Sequence, residues 1–529
     1  MKIYHKTAKA ILISAAALFF SCEDFININE DPNNSVVPQL NLLLPATQLS
    51  IVGNLESVNR GASAVIQHRG SGSLNRYDQT GTTFESSWEG FYTQAIPDLE
   101  KIIEVGTDKG DWGYVGIAKI EKAYLFSIMT DIWGDIPFHD ATKSENPTFD
   151  SGADVYAGAL ALLDEGIADL NKGATIVGSS DLFYQGDLSK WRKMANSLKL
   201  KLHLQTRLLD PEASKQAIVA LINNSELIEA NNEDFTFQFG TNTAPNSRHP
   251  WFTAGYSPSR DGYMSMMVVD RLLEQDDPRL RYYIFRINEV AGLANSKTGE
   301  GYYGRYPGDG ASSPADQNTR AITGIYPSGG LYDNGMIPSS LTPEHIYLNN
   351  AGATTGTTSN SFKIASFANG DGTGAGIFPL LTHSMVAFLR AEAALTLNTG
   401  EDAKSLMKEA VMAQLRVVNS LAPTFPLSET AILGFTDRLG DQFSAADERG
   451  KMELLMMQKW ISLYGNGIEA YNDYRRTGLP ELEPLVSPLD VFPLRFYYSQ
   501  TELTSNESLV DERDQLQRNQ QITPVFWDK

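Results

Sequence analysis

The chain has 529 residues, with 43 Lys and Arg against 64 Asp and Glu, a formal net charge of −21. A surface this acidic repels phosphate backbones, which argues against a nucleic-acid partner. Hydrophobic residues make up 42% and the 43 Gly and 24 Pro are ordinary globular usage, so disordered and fibrous architectures are disfavoured and a large core is available.

Residues 1–9 carry Lys2, Lys6 and Lys9, and residues 10–20 (AILISAAALFF) form an apolar run far shorter than the roughly 20 residues that span a bilayer. Residues 1–21 therefore read as a secretory signal peptide. It ends at Ser21-Cys22, the position at which a lipoprotein signal is cut and a lipid attached, although Phe19 stands where such signals usually have Leu. Cys22 is the only cysteine, so no internal disulfide and no thiolate metal site is possible. A buried structural Cys behind an ordinary signal sequence is the alternative, and it leaves the unique placement unexplained. Lipid chains bury methylenes at about 0.8 kcal/mol each, enough to hold a soluble body on a membrane without a spanning helix. Residues 22–39 (CEDFININEDPNNSVVPQ) have the polar, Asn/Pro-rich composition of a tether, and a single folded domain is expected over 40–529.

Within that body, apolar residues recur at helical spacing over 40–68, 84–105, 114–133, 153–171, 188–209 and 211–224. Pro97 is expected to bend or restart the second of these. From about 226 to 378 the character changes to Gly, Ser, Asn, Thr and Tyr, with strand-like FTFQF at 235–239 and one helix at 261–274 stopped by Asp277-Pro278. Ligand contacts are expected in this loop-rich insert, because long loops on a rigid scaffold commonly carry function. Helical periodicity returns over 379–398, 401–420 and 445–475. The first two, joined by Thr399-Gly400, resemble a tetratricopeptide repeat, with small residues Ala391, Ala394, Gly400, Ala403 and Ala410 where its helices pack closely; an ordinary hairpin with alanines in its seam is the alternative. The fold class expected is mainly α: tetratricopeptide-like hairpins over about 84–210 and 379–476, a loop-rich ligand-binding face and a few short strands.

The seven histidines (5, 68, 139, 203, 249, 345 and 383) include no pair spaced for one metal, no EF-hand spacing occurs, and no nucleophile elbow is present. Gly370–Ala375 fits a relaxed dinucleotide pattern without its strand-turn-helix context and reads as a loop. No cofactor and no metal are expected. Asp131 and Asp135, flanking Trp133 in TDIWGDIPF, are the carboxylate pair a glycosidase would use. A helix end at Gly134 with Trp133 packed inside explains them better. The informative excess is of aromatics in loops: Tyr77, Trp251, Tyr256, Tyr263, Tyr302, Tyr303, Tyr306, Tyr326 and Tyr332. A flat ring covers the apolar face of a sugar while Asn, Asp or Arg bonds its hydroxyl rim. Ligand-binding candidates are therefore Arg76, Tyr77, Trp251, Tyr256, Arg260, Asp261, Tyr306 and Tyr332, with Cys22 the lipidation site.

The signal ending in Ser21-Cys22, the tether INEDPNN, the helical pair FPLLTHSMVAFLRAEAALTLNTG, and AYLFSIMTDIWGDIPF, KWISLYGNGIEAYNDYRRTGLP and PLRFYYSQTELTSNESLV with TPVFWD resemble the SusD/RagB family of nutrient-binding outer-membrane lipoproteins of Bacteroidetes. The resemblance implies four tetratricopeptide-like units, a ligand-holding loop face, and a SusC-like TonB-dependent transporter as partner, on which the protein would act as a lid. Glu23-Asp24 is similar to the acidic export signal of these lipoproteins, implying the extracellular side of the outer membrane. The function expected is capture of an oligosaccharide and its delivery to the transporter, without catalysis. The alternatives are an oligopeptide-binding member of the same family, a lipid-anchored glycoside hydrolase using Asp131 and Asp135, and a scaffold that binds only protein.

Overall fold

The computed structural model describes residues 38–529 apart from 71–72, 174–175, 257–262, 286–301, 303, 310–320, 334–344, 349–361, 366–367, 370–371, 514–515 and 517–521. The longer helices, numbered in chain order, are α1 Leu40–Val65, α2 Ile96–Lys109, α3 Trp112–Trp133, α4 Gly152–Leu170, α5 Leu188–Gln205, α6 Pro211–Asn224, α7 Met266–Glu274, α8 His383–Leu397, α9 Ala403–Leu421, α10 Glu429–Ala445, α11 Glu448–Ser462 and α12 Gly467–Thr477. Their starts follow ordinary capping chemistry. Ser151, Asp187, Asp210, Thr382, Asp402, Ser428, Asp447 and Asn466 each accept a first-turn N–H that has no partner within the helix.

Consecutive helices pack in pairs, α3 with α4, α5 with α6 and α8 with α9, the tetratricopeptide-like arrangement expected. Small residues make the first pair possible. A Cβ on Gly116 would lie 2.5 Å from Leu170 and 2.8 Å from the Gly166 carbonyl oxygen, and one on Gly166 would lie 2.8 Å from Ile120. In the α8–α9 pair Ala391, Ala403 and Ala410 are buried, Ala394 is half-buried, and Gly400 turns the chain at φ +93°.

The last helices close back on the first. Gly467 at the start of α12 touches the backbone of Ser63 in α1, and its N–H donates to Asn59 Oδ1 at 2.6 Å while Asn59 Nδ2 donates to the Gly465 carbonyl. Trp460 Nε1 donates to the Ile66 carbonyl at 3.2 Å. One apolar core therefore runs from Leu40 to Trp527, and a second, smaller cluster fills the space between α8, α9, α10 and α11.

Several boundaries differ from the sequence reading. The 84–105 stretch divides into Glu85–Gly90, a π-helical turn Phe91–Ala95 and α2, with Pro97 in the first turn of α2, where a missing N–H costs nothing. Ile377–Leu381 is not the start of a helix but a strand, paired antiparallel with Phe235–Gln238; all five of its residues are buried, and an apolar run of that length is equally compatible with either state. The 445–475 block is two helices, broken at Leu463–Asn466 with Gly465 at φ +104°. Helix α10 is an addition to the expected helices, although Ile432, Phe435, Leu439 and Phe443 recur at helical spacing along its buried face behind the cap Ser428. Among the described residues the other strands form three more two-stranded antiparallel pairs, all within the loop-rich insert. Among the described residues no helix is long and apolar enough to cross a membrane.

Candidate functional site

The structure sorts the sequence-derived candidates by burial. Trp251 is 2% exposed: the Arg69 guanidinium lies 4.5 Å over its ring and Tyr464 meets it edge-on at 5.5 Å. Tyr332 is fully buried against Tyr282, and its hydroxyl accepts the Phe425 N–H at 3.3 Å. Tyr302 and Tyr326 are likewise core residues. Tyr256 stacks on Phe252 at 4.4 Å, and its hydroxyl both donates to the Thr323 carbonyl and accepts the Leu331 N–H. Burial holds that hydroxyl well above the usual phenol range. Trp251 and Tyr332 thus act here as packing elements of the insert, not as open platforms, since a ring covered by protein has no face to offer a sugar; Tyr256 is half-buried, with one face stacked on Phe252. Arg260, Asp261 and Cys22 lie outside the described residues.

Arg76, Tyr77 and Tyr306 are brought together. The organiser is a segment that the sequence reading passed over, the proline-punctuated run at 482–494 (LEPLVSPLDVFPL). Arg76 Nε donates to the Ser487 carbonyl at 2.9 Å and its carbonyl accepts the Leu489 N–H at 2.9 Å. The Val486 N–H donates to the Pro307 carbonyl at 3.0 Å, next to Tyr306. Glu483 and Gln67 exchange two hydrogen bonds at 2.7 and 3.0 Å. Tyr77, at φ +64°, turns inward beneath this layer and meets Phe492 edge-on at 5.5 Å, and burial pushes its hydroxyl up to about 12. Behind it, Gly70 and Met264 bring in Tyr263, over whose ring the Arg305 guanidinium lies at 3.8 Å.

These contacts join residues 74–77, 263–264, 305–309 and 484–491 into one layer. Arg76, Tyr263, Arg305 and Tyr306 are half-buried in it, and Val486, Leu489 and Val491 stand out at 63%, 54% and 54% exposure. Apolar side chains beside guanidinium groups and a phenol ring suit a ligand with apolar C–H faces and a hydroxyl rim. Sequence periodicity misses the 482–494 run because it belongs to no helix or strand; its apolar residues set between prolines are the signal that was there to read.

Asp131 and Asp135 do not form a catalytic pair. Asp131 is fully buried: Oδ1 accepts the Tyr156 hydroxyl and Trp527 Nε1 at 2.9 Å, and Oδ2 accepts Asn472 Nδ2 at 2.9 Å and Lys201 Nζ at 3.3 Å. Four donors from α4, α5, α12 and the C-terminal tail leave it no lone pair for a substrate proton. Asp135 accepts the Gly152 N–H at 2.7 Å at the start of α4. Trp133 is packed beside the helix end at Gly134, as the sequence reading preferred.

Over residues 32–499 the sequence matches the pattern of a SusD-like family described as starch-binding and associating with the outer membrane. No curated protein matches it closely enough to lend it a function. Among solved structures, it is similar to a chitin-binding protein (TM-score 0.71, 22% identity, 93% of this chain and 100% of that one). It is also similar to a SusD homologue from Bacteroides fragilis (0.70, 21%, 93% and 99%) and to a chitin-binding SusD homologue from Flavobacterium johnsoniae (0.64, 19%, 92% and 98%). At these identities the structural likeness is one of fold. The family pattern spans most of the chain and the paired-helix scaffold is shared along nearly its whole length: the chain belongs to the SusD/RagB family.

Proposed function

We propose that the protein is a lipid-anchored, surface-exposed glycan-binding protein that captures an oligosaccharide and delivers it to a SusC-like TonB-dependent transporter. The observation that carries this reading is the composite face: Arg76, Tyr263, Arg305 and Tyr306 beside the exposed Val486 and Leu489, held by backbone hydrogen bonds to a rigid helical body. The family's description as starch-binding and the two chitin-binding relatives support a glycan over an apolar ligand. Its association with the outer membrane supports anchoring through Cys22, and a lipid anchor raises the effective concentration for docking on a transporter in the same membrane. The engaged lone pairs of Asp131 favour binding without cleavage.

Calorimetry of residues 23–529 against soluble glycan and peptide panels tests the reading. Glycan binding is expected, and Arg76→Ala and Tyr306→Ala each weaken it about tenfold while thermal midpoints stay close to the parent's. Binding to peptides with no glycan response would transfer the protein to the oligopeptide-capturing alternative. Radiolabelled palmitate incorporation that survives Cys22→Ala would overturn the anchor.

A further inference from the structure

Helix α1 closes on an unusual residue. Gln67, two places beyond its last turn, has φ +65° and is 0% exposed. A left-handed residue at a helix end is ordinarily Gly, or less often Asn, because a Cβ is strained in that conformation. Three other helices that end this way follow the rule: α2 closes on Gly110 at φ +74°, α12 on Gly478 at φ +70° and α8 on Asn398 at φ +53°. A glycine at 67 would end α1 at lower cost, so the strain held there points to a role for the side chain. Its amide takes both main-chain groups of Glu483: Nε2 donates to the Glu483 carbonyl at 2.7 Å and Oε1 accepts the Glu483 N–H at 3.0 Å. The same side chain hydrogen-bonds the hydroxyl of Tyr77, itself left-handed at φ +64°.

The segment it grips has little else to order it. No residue from 481 to 492 is fully buried, and none belongs to a helix or strand. A stretch with so little apolar burial draws its order from its hydrogen bonds and opens when they go. Three side chains tie residues 483–487 to the body. Arg271 of α7 places Nη2 3.0 Å from Glu483 Oε1, Arg76 Nε donates to the Ser487 carbonyl at 2.9 Å, and Gln67 holds the Glu483 backbone. The two arginines are half-buried and compete with water. Gln67 alone of the three is closed off from it, where a hydrogen bond is strongest.

We propose that Gln67 is a positioning residue: its side chain fixes the 482–494 run and thereby sets Val486 and Leu489 against Arg76 and Tyr306. The consequence for ligand capture rests on the reading of that face given above, whereas the hold on the run does not. A ligand that meets an ordered face does not bear the cost of ordering it, so loss of the amide weakens binding without removing any group that touches the ligand.

The test is hydrogen exchange read by mass spectrometry on residues 23–529, over peptides covering 481–491, with thermal midpoints and glycan-panel calorimetry on the same proteins. Gln67→Gly keeps the left-handed backbone and removes the amide; Gln67→Leu fills nearly the same volume without it. In both, exchange of the Glu483, Val486 and Leu489 amides is expected to quicken about tenfold or more, the effect of one or two ordinary hydrogen bonds. Glycan affinity falls about five-fold, while the thermal midpoint of Gln67→Gly stays within a few degrees of the parent's. Were the residue there only to end α1, glycine would leave exchange and binding at the parent's values. Exchange equal to the parent's in either variant, or glycan affinity unchanged while the run is loosened, would each overturn the proposal. A parent that binds no glycan, with a run that still loosens in both variants, removes the glycan reading and leaves the positioning role standing.

Discussion

Glu121 sits fully buried in α3, with one oxygen accepting Gln48 Nε2 at 2.7 Å and the other without a partner. Burial pushes its pKa well above the ordinary carboxylate value, and the nearby Asp181 charge adds to the rise, against the opposing hydrogen bond from Gln48. A carboxyl whose folded pKa is raised holds its proton more tightly in the native state. Its contribution to stability is complete below the unfolded value near 4.5 and is lost as pH rises towards the folded pKa. Glu121→Gln keeps the shape and an acceptor for Gln48 but does not titrate. Its thermal midpoint should exceed the parent's by a few degrees at pH 8, with the gap closing towards pH 4.5; scanning calorimetry at the two pH values decides, and a gap independent of pH would refute the assignment.

At the scale of elements, the α3–α4 contact explains why small residues matter more than propensity. Glycine inside a helix costs up to about 1 kcal/mol against Ala, so Gly116 and Gly166 are retained for packing. Each lies close to the other's carbonyl oxygen, 2.8 and 3.0 Å from where a Cβ would sit, and backbone cannot step aside as a side chain can. Gly116→Val should therefore part the two helices and cost about 1–3 kcal/mol, read as a lower urea midpoint at an unchanged slope. A midpoint equal to the parent's would mean that the pair tolerates separation. The α8–α9 pair uses Ala391 and Ala410 for the same purpose with more room.

For the molecule as a whole, the helices are joined through a buried charge network as well as an apolar core. Glu392 of α8 pairs with Arg476 of α12, with Arg207 just beyond α5 at 3.2 Å and with Lys459 of α11 at 3.4 Å, and Asp473 completes the set. Burial alone would raise the Glu392 pKa; Arg476, Arg207 and Lys459 outweigh it and hold the carboxyl well below its usual range. The sign is opposite to that of Glu121: this contribution is present above the unfolded value near 4.5 and is lost as pH falls from there towards the folded pKa. Glu392→Gln leaves three buried cations short of an acid, so at pH 7 a loss of about 3–5 kcal/mol is expected together with a shallower acid limb below pH 4.5, measured by denaturant titration across pH. An acid limb as steep as the parent's would show that other carboxylates govern acid unfolding.

Much of this organisation was legible in the chain itself. Amphipathic periodicity over 40–68, 114–133, 153–171 and 188–209, and the alanines of the α8–α9 pair, are local patterns, and a helix needs only its own sequence to declare which face turns inward. The placement of Cys22, the acidic balance and the family segments likewise need no coordinates. The fate of the loop aromatics was not legible, because it depends on partners far along the chain. Trp251 is covered by Arg69 and Tyr464, and Tyr332 by Tyr282 and the Phe425 backbone, while Tyr306 stays at the surface beside a segment at 484–491. Whether a ring packs a core or meets a ligand is set by what closes over it, and only the tertiary arrangement brings that cover into place.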